Sequence, residues 1–476
     1  MTSIQFGTEG WRSIMAEGFT SQNVRLVTQA IADHMRHQAR GGLQTRSPLT
    51  IAVGYDTRFL SDRFARSVCE VLAANNIRCI LSNGAIPTCA VSRYVVDRRL
   101  FAGIMVTASH NPPIYNGIKI KESFGGSATT QTVASVERLL GRHPVKNVPF
   151  EEALRDRRIS HDDFIAPFLQ GIRSFVDLSA IRRCRLHVIV DSMYGTGGRL
   201  IERLLRGGKC HVETLHADPD PLFGGQAPEP IASHLVELRK TVRHRHASVG
   251  IANDGDADRL GIIAPDGAWL NPGQALCVLL DHWVRTRHVQ GAVVKTVSNT
   301  MMINRMTKAL GLRLIEVPVG FKHIAKLMME DKVLMGGEES GGIGITDYLP
   351  ERDGIVNGLL LLEVLAMRRK SLLEILRELE RAYGRWAYGR FDLHLQPSQV
   401  ERLFKRLQSH PPEKLGIIPV AQINTLDGIK LIGRDESWLL FRRSGTEPIV
   451  RIYAETPSPR TLPALLGSGI TLATRS

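Results

Sequence analysis

Short apolar runs that break off abruptly into small and polar residues recur along the chain, and this recurrence constrains the fold more than any other feature. Residues 100–106 run into Thr107-Ala108-Ser109-His110-Asn111-Pro112-Pro113, and residues 186–190 into Asp191-Ser192-Met193-Tyr194-Gly195-Thr196-Gly197-Gly198. Residues 248–252 open onto Asn253-Asp254-Gly255-Asp256-Ala257-Asp258-Arg259, and residues 292–296 precede a helical pattern over 301–310. A run this short, apolar and closed by turn formers predicts a buried strand, and strands alternating with helical patterns predict an α/β fold. Strands are also expected over 49–53, 77–81 and 313–317, and helices over 24–35, 200–205, 356–367 and 372–383. In open sheets of this kind ligands bind outside the carboxyl ends of the strands, so the polar residues at the breaks are the candidates for chemistry.

A chain of 476 residues exceeds what one core supports. Three α/β units are expected over 1–160, 161–265 and 266–380, with a smaller α+β unit over 385–476. The charged run at 151–158 reads as the linker or helix leaving the first unit. An apolar fraction of 43% with 23% charged residues lies near the average of globular proteins. No apolar run reaches the roughly 18 residues of a membrane span, and Met1 to Gly7 lacks a basic region followed by an apolar one. The expected location is therefore cytoplasmic, without a membrane partner. Six cysteines are scattered without Cys-x-x-Cys spacing, which suits reduced thiols. The net charge of +14 is dispersed in clusters such as Arg182-Arg183-Cys184-Arg185 and Arg243-His244-Arg245-His246, without aromatic stacking platforms. These read as solvated helix faces, and no nucleic-acid partner is expected.

Four of the breaks carry distinct chemistry. Ser109 sits on the loop after the 100–106 strand, and Asn116-Gly117 turns the chain into an alternating strand over 118–121 that returns Lys119 toward it. A hydroxyl, the His110 imidazole and an ammonium would then share one site, although Ser109 and Asn111 also suit turn or cap positions. No Gly-x-Ser-x-Gly elbow surrounds this serine, and adjacent Ser109 and His110 are poorly placed for a hydrolase triad. Asp254, Asp256 and Asp258 alternate directly after a strand; so close, they repel unless a hard divalent cation neutralises them. An EF-hand is excluded, since Arg259 stands where that loop needs glycine and Pro265 where it needs glutamate. Glu338 and Ser340 lie among the glycines of 336–342, where they can accept from and donate to hydroxyls of a ligand. Arg442, Ser444, Gly445 and Thr446 offer guanidinium, hydroxyl and backbone donors that match a phosphate, or alternatively form a hairpin turn.

A serine with candidate bases, a carboxylate cage, hydroxyl-binding side chains and a phosphate cradle together describe metal-assisted phosphoryl transfer on a polyol. Four motifs, Thr107 to Pro112, Asp254 to Arg259, Gly337 to Gly341 and Arg442 to Pro448, resemble in sequence and order those of the α-D-phosphohexomutase family, the phosphoglucomutases and phosphomannomutases. The opening Phe6-Gly7-Thr8-Glu9-Gly10-Trp11-Arg12 is similar as well and places Arg12 near the serine. The resemblance implies three related α/β domains and a smaller C-terminal domain around a central cleft. It implies a phosphoserine at Ser109 and Mg²⁺ held by Ser109, Asp254, Asp256 and Asp258. Arg259, Lys119 and Lys295 match positions that place or protonate reacting oxygens, with Lys119 the preferred acid/base. Glu338, Ser340, Lys295 and Lys322 would bind the sugar, and Arg442, Ser444, Gly445 and Thr446 the nonreacting phosphate. The implied reaction interconverts hexose 1-phosphate and hexose 6-phosphate, of glucose and, as a second substrate, mannose. It passes through a hexose 1,6-bisphosphate that also serves as activator, in a monomer or dimer. The alternatives are a phosphoglucosamine mutase and a noncatalytic sugar-phosphate-binding protein. Gly342 and Phe321 stand where many or some members have histidines, with Lys322 and His323 beside the second position, so acid/base assignment and sugar preference stay open.

Overall fold

The computed structural model describes residues 4–7, 10–40, 49–287, 289–443 and 449–474. Its strands form four sheets. The first has the order Gly10–Ile14, Tyr115–Glu122, Ala102–Val106, Thr50–Tyr55, Arg78–Ser82, Ile159–Asp162. The second runs Trp269–Leu270, Leu260–Ile263, Val249–Asn253, His187–Asp191, His211–Leu215, and the third Arg313–Val317, Ala292–Thr296, Val333–Gly337, Ile343–Ile345, Leu349–Arg352. Each of the three contains one four-strand unit. A central strand has a parallel neighbour on either side, and the later neighbour continues into an antiparallel strand. The expected α/β class and the repetition of strand, polar loop and helix follow from this arrangement.

The inner strands are mostly apolar because both of their faces are buried. Ala102–Val106, Val249–Asn253, Ala292–Thr296 and Val333–Gly337 are buried at every position. One apolar core joins all three units, from Ala52 and Val91 through Val190 and Ile251 to Met335 and Leu360. The helix Gly354–Arg368 is buried on all sides over most of its length and packs against Leu178–Arg183, Pro272–Arg287 and the strand Leu260–Ile263. Its cap, Asp353, accepts from the backbone N–H of Ile355 and Val356 at 3.0 and 2.9 Å. The run at 151–158 behaves differently from a linker that leaves its unit. It supplies the short helix Phe150–Arg155 and then Ile159–Asp162, which returns to the first sheet by pairing with Arg78–Ser82, because alternating Ile159 finds an apolar slot there.

The fourth sheet is antiparallel, in the order Ala387–His394, Ile449–Thr456, Trp438–Arg443, Ile429–Gly433, Ile418–Asn424, Lys414–Leu415. It meets the third unit through buried polar groups. Lys430 Nζ donates to the carbonyl of Val297 at 2.6 Å and lies 4.3 Å from the centre of the Trp438 ring. Glu455 accepts from the Met301 backbone at 2.7 Å and from Trp438 Nε1 at 2.9 Å. Burial, aided by the neighbouring Lys295 and opposed by Glu316 and Glu455, pushes the Lys430 ammonium down to about 7 from the ordinary 10.5. Between those values the unfolded chain binds a proton that the folded chain has given up. Stability is therefore lost progressively as pH falls from 10.5 to about 7, and below that the loss is complete and constant. Replacing Lys430 with methionine is expected to remove this dependence, so that the melting temperature of the variant relative to the parent moves in the variant's favour as pH falls from 9 to 6. Calorimetric melts across that range check it; a parallel offset at every pH contradicts it.

Candidate active site

The loop joining the antiparallel pair falls in the same slot of each repeated unit, and the three slots hold the sequence-predicted chemistry. Ser109 lies between Ala102–Val106 and Tyr115–Glu122, the aspartates between Val249–Asn253 and Leu260–Ile263, and Glu338 and Ser340 at the turn between Val333–Gly337 and Ile343–Ile345. Direct bonds connect the slots, so the three loops form one site.

Ser109 is buried and has φ of 52°, a left-handed conformation that costs a side-chain-bearing residue energy unless its surroundings enforce it. The surroundings do so through Arg58. Its guanidinium donates to the carbonyls of Ser109 (2.6 Å), Asn111 (2.7 Å), Pro112 (2.8 Å) and Tyr115 (3.0 Å), and its Nε lies 3.2 Å from Asp56. Asp56 in turn accepts from Thr107 Oγ1 at 2.6 Å, and Thr107 Oγ1 accepts from the Ser109 backbone at 2.8 Å. Arg12 Nη1 donates to Asn111 Oδ1 at 2.7 Å, which places the expected arginine at the serine loop. The Ser109 hydroxyl donates to Asp254 Oδ2 at 2.7 Å.

The three aspartates are buried, and each is held differently. Asp254 Oδ1 accepts from the backbone of Asp258 and Arg259, at 2.9 and 3.0 Å, so this carboxylate closes its own loop. Asp256 accepts from Thr88 Oγ1 and from Lys119 Nζ, the latter at 2.7 Å. Asp258 accepts from Lys119 Nζ at 2.8 Å and from Arg352 Nη2 at 2.6 Å. Burial and the other two carboxylates push Asp254 well above the usual carboxylate range. The same burial acts on Asp256 and Asp258, but Lys119 reverses it at Asp256, and Arg352, Lys119 and Arg259 reverse it at Asp258, which is held far down. Asp256 Oδ1 and Asp258 Oδ1 are buried without a hydrogen-bond partner among the described residues, and ligand oxygens of all three residues lie within 4.8 Å of one another. Orphaned, convergent, hard oxygen donors fit a divalent cation of the Mg²⁺ type.

Lys119 is thus brought to the site, and Arg259 lies 3.9 Å from Asp254 and 3.5 Å from Glu229. His110 presents Nε2 at 3.5 Å from Arg259 Nη2. Burial, then Arg259, Arg12, Arg451 and Lys119, hold its imidazole well below 6.5. Glu338 accepts from the Gly320 backbone at 3.1 Å and from Arg352 Nη1 at 3.0 Å, while Ser340 is half-buried beside it. Lys322 is half-buried in the first turn of the helix Phe321–Glu330. Lys295 is not gathered with these groups. Its buried ammonium donates to Asn304 Oδ1 at 2.6 Å and to the Thr300 carbonyl at 3.1 Å, and lies 3.4 Å from Glu316, in the contact with the fourth sheet. Arg442 Nε donates to Asp427 at 2.7 Å, and Asp427 also accepts from the Val319 backbone at 2.9 Å. Ser444, Gly445 and Thr446 lie outside the described residues.

Comparison with known proteins agrees with this geometry. The family described as phosphoglucomutase/phosphomannomutase, alpha/beta/alpha, matches through domain I at residues 3–143, domain II at 166–267 and domain III at 271–383. A phosphoglucomutase/phosphomannomutase of Thermococcus kodakarensis is 30% identical over 467 residues, covering 98% of each chain. The chain belongs to the phosphoglucomutase/phosphomannomutase family. A phosphoglucosamine/phosphogalactosamine mutase of Sulfurisphaera tokodaii is 28% identical, covering 94% of each chain. The solved structure of a Thermus thermophilus protein assigned as a phosphomannomutase superposes with a TM-score of 0.86 at 33% identity, covering 99% of each chain.

In this member of the family four site residues escape a reading of sequence alone: Arg58, Thr88, Arg352 and Arg451. Arg58 follows a strand end, where a buried arginine is not distinguishable from a solvated one. Arg451 is the register partner of Arg442 on the neighbouring strand, and its charge reaches His110. A lone arginine in the apolar run 449–454 is the signal that could have found it.

Proposed function

We propose that the protein is a Mg²⁺-dependent phosphohexomutase that interconverts hexose 1-phosphate and hexose 6-phosphate through a phosphorylated Ser109. The observation that carries this reading is the bond from Ser109 Oγ to Asp254 within a triad in which Asp256 Oδ1 and Asp258 Oδ1 are buried with no partner among the described residues. A sugar-phosphate-binding protein without turnover has no need of a hydroxyl poised beside such a cage. Asp254, Asp256 and Asp258, with an oxygen on Ser109, would hold Mg²⁺, which when bound neutralises charge on the transferring phosphoryl group.

The phosphoserine would give up its phosphoryl group to a hydroxyl of the sugar phosphate. The phosphorus–oxygen bond to Ser109 breaks as the bond to the sugar oxygen forms, and the product is a hexose 1,6-bisphosphate. After that intermediate turns around, its other phosphoryl group passes to Ser109 Oγ and the isomeric monophosphate leaves. In each direction the hydroxyl proton must be held and returned. Lys119 is our candidate for this, because its Nζ stands between Asp256 and Asp258, in the triad that Ser109 joins through Asp254. Glu338 and Ser340 would accept from and donate to sugar hydroxyls. Arg442, with Arg451 beside it, would grip the phosphate that is not reacting.

The sugar is proposed as glucose, with mannose a second substrate; the relatives named for glucosamine phosphates make a phosphoglucosamine mutase the second reading. Six free cysteines, five of them buried, suit a reducing, cytoplasmic setting. Among the described residues no helix is long and apolar enough to cross a membrane. The test is conversion of glucose 1-phosphate with Mg²⁺ and a trace of glucose 1,6-bisphosphate, beside mannose and glucosamine 1-phosphates and a Ser109→Ala control. Turnover lost in the control is expected, and the best substrate fixes the specificity. Absence of turnover on all three by folded protein rejects the reading.

A further inference from the structure

Arg352 lies at the end of the strand Leu349–Arg352, in a stretch that sequence alone presents as the lead-in to a helix. It is buried, and its two terminal nitrogens are divided between two loops: Nη2 donates to Asp258 at 2.6 Å and Nη1 to Glu338 at 3.0 Å. A planar guanidinium with fixed donor directions can set the angle between two carboxylates, which an ammonium cannot do. We infer that Arg352 is a positioning residue that fixes Glu338 and Asp258 as one unit, so that the grip on sugar hydroxyls and the cation cage are mechanically coupled. The inference rests on the proposed roles of Glu338 and Asp258.

The surroundings are shaped to hold this side chain. A Cβ added at Gly342 would stand 2.2 Å from Arg352 Cδ, 3.1 Å from its Cγ and 3.2 Å from Glu338 Oε2. Gly342 is not among the residues with positive φ, so its backbone does not require glycine; the space is what requires it. On the other side the guanidinium carbon lies 5.4 Å from the centre of the Phe321 ring, within cation–π range. Phe321 is itself fixed, since a Cβ at Gly344 would meet its ring at 2.5 Å. Gly342 and Phe321 thus form a socket for one arginine. The neighbouring Glu351 divides its oxygens: Oε2 accepts from Lys121 at 2.5 Å and Ser127 at 2.8 Å, while Oε1 accepts from the Arg352 backbone at 3.0 Å and lies 3.8 Å from its Nε, which steadies the stem of the arginine.

The test compares the parent with Arg352→Lys, which keeps the charge and removes the fork, with Gly342→Ala, and with the double variant. Supporting groups that orient metal and substrate ligands typically change affinity or activity by about 10- to 100-fold when altered. Calorimetric titration with Mg²⁺ alone is expected to show a loss of that order in Arg352→Lys. Glucose 1-phosphate titrated with and without Mg²⁺ should reveal mutual strengthening in the parent and little in the variant. In turnover assays KM should rise more than kcat falls. If Gly342 acts only by making room, Gly342→Ala shows the same defect as Arg352→Lys, and the double variant is no worse than either single one. Mg²⁺ affinity, mutual strengthening and KM within twofold of the parent would overturn the inference. So would a lowered melting temperature with the coupling intact, and so would losses that multiply in the double variant. A parent that binds Mg²⁺ but turns over no hexose phosphate rejects the proposed function, while the Mg²⁺ titration still decides the role of Arg352.

Discussion

Replacing Arg58 with alanine is expected to abolish most turnover and to lower stability at the same time. Its guanidinium makes four of the bonds that fix the serine loop and neutralises Asp56, with both side chains fully buried. Removing one partner of a buried pair leaves the other charge uncompensated and typically costs about 3–5 kcal/mol. Each carbonyl that loses a charged donor adds to this, and the left-handed backbone of Ser109 loses the bond that holds its carbonyl. Since a misplacement of about 1 Å costs on the order of 100-fold in rate, a loop freed at Ser109, Asn111 and Pro112 together should lose roughly 1,000-fold or more in kcat/KM. Arg58→Lys separates the two effects. Its ammonium can still meet Asp56, so much of the stability should return, but it cannot span four carbonyls, so activity should recover only in small part. Denaturant melts and turnover assays on both variants check this. Full activity in Arg58→Ala would mean that the serine loop needs no such clamp.

Arg58 also shows where sequence reading ends. Strand ends and the loops they deliver are local properties. Ala292–Thr296 and Arg313–Val317 match the expected bounds, and Ala102–Val106 and Val249–Asn253 differ from them by one or two residues. The motif residues Ser109, Asp254 and Glu338 were legible for the same reason, since each follows directly on an apolar run. What the repeated unit does with those loops was only partly legible. That all three occupy the same slot between antiparallel strands follows from pairing, which periodicity does not specify. Arg58, Thr88 and Arg352 act on groups 51, 168 and 94 residues away. Their meaning exists only once the loops have met. Lys295, assigned by resemblance alone, donates to Asn304 on the adjacent helix and lies beside Glu316 on the adjacent strand, contacts that its apolar run does not specify. The absent histidines at 342 and 321 were visible as departures, but their common neighbour, Arg352, was not.

The aspartates should divide into one whose charge alone matters and one whose charge also holds the fold. Asp254 commits Oδ1 to two backbone donors of its own loop and Oδ2 to the Ser109 hydroxyl. Asparagine can keep the carbonyl oxygen on the backbone and turn its amide to Ser109. Asp254 also carries the charge that the buried triad tolerates least, with burial and two carboxylates opposing it. Asp254→Asn is therefore expected to melt at or slightly above the parent temperature while Mg²⁺ affinity and turnover fall at least about 100-fold, since an anionic ligand of a hard cation has been lost. Asp258 is the opposite case, because Lys119 and Arg352 both depend on it. Asp258→Asn removes one anion from a buried network and leaves two cations short of a partner, so it should lose about 3–5 kcal/mol of stability in addition to Mg²⁺ binding and turnover. Thermal melts, Mg²⁺ calorimetry and turnover on the same two proteins test the division. Equal destabilisation of both variants would remove the asymmetry between the two carboxylates, and retained Mg²⁺ affinity in Asp254→Asn would take that residue out of the cation cage.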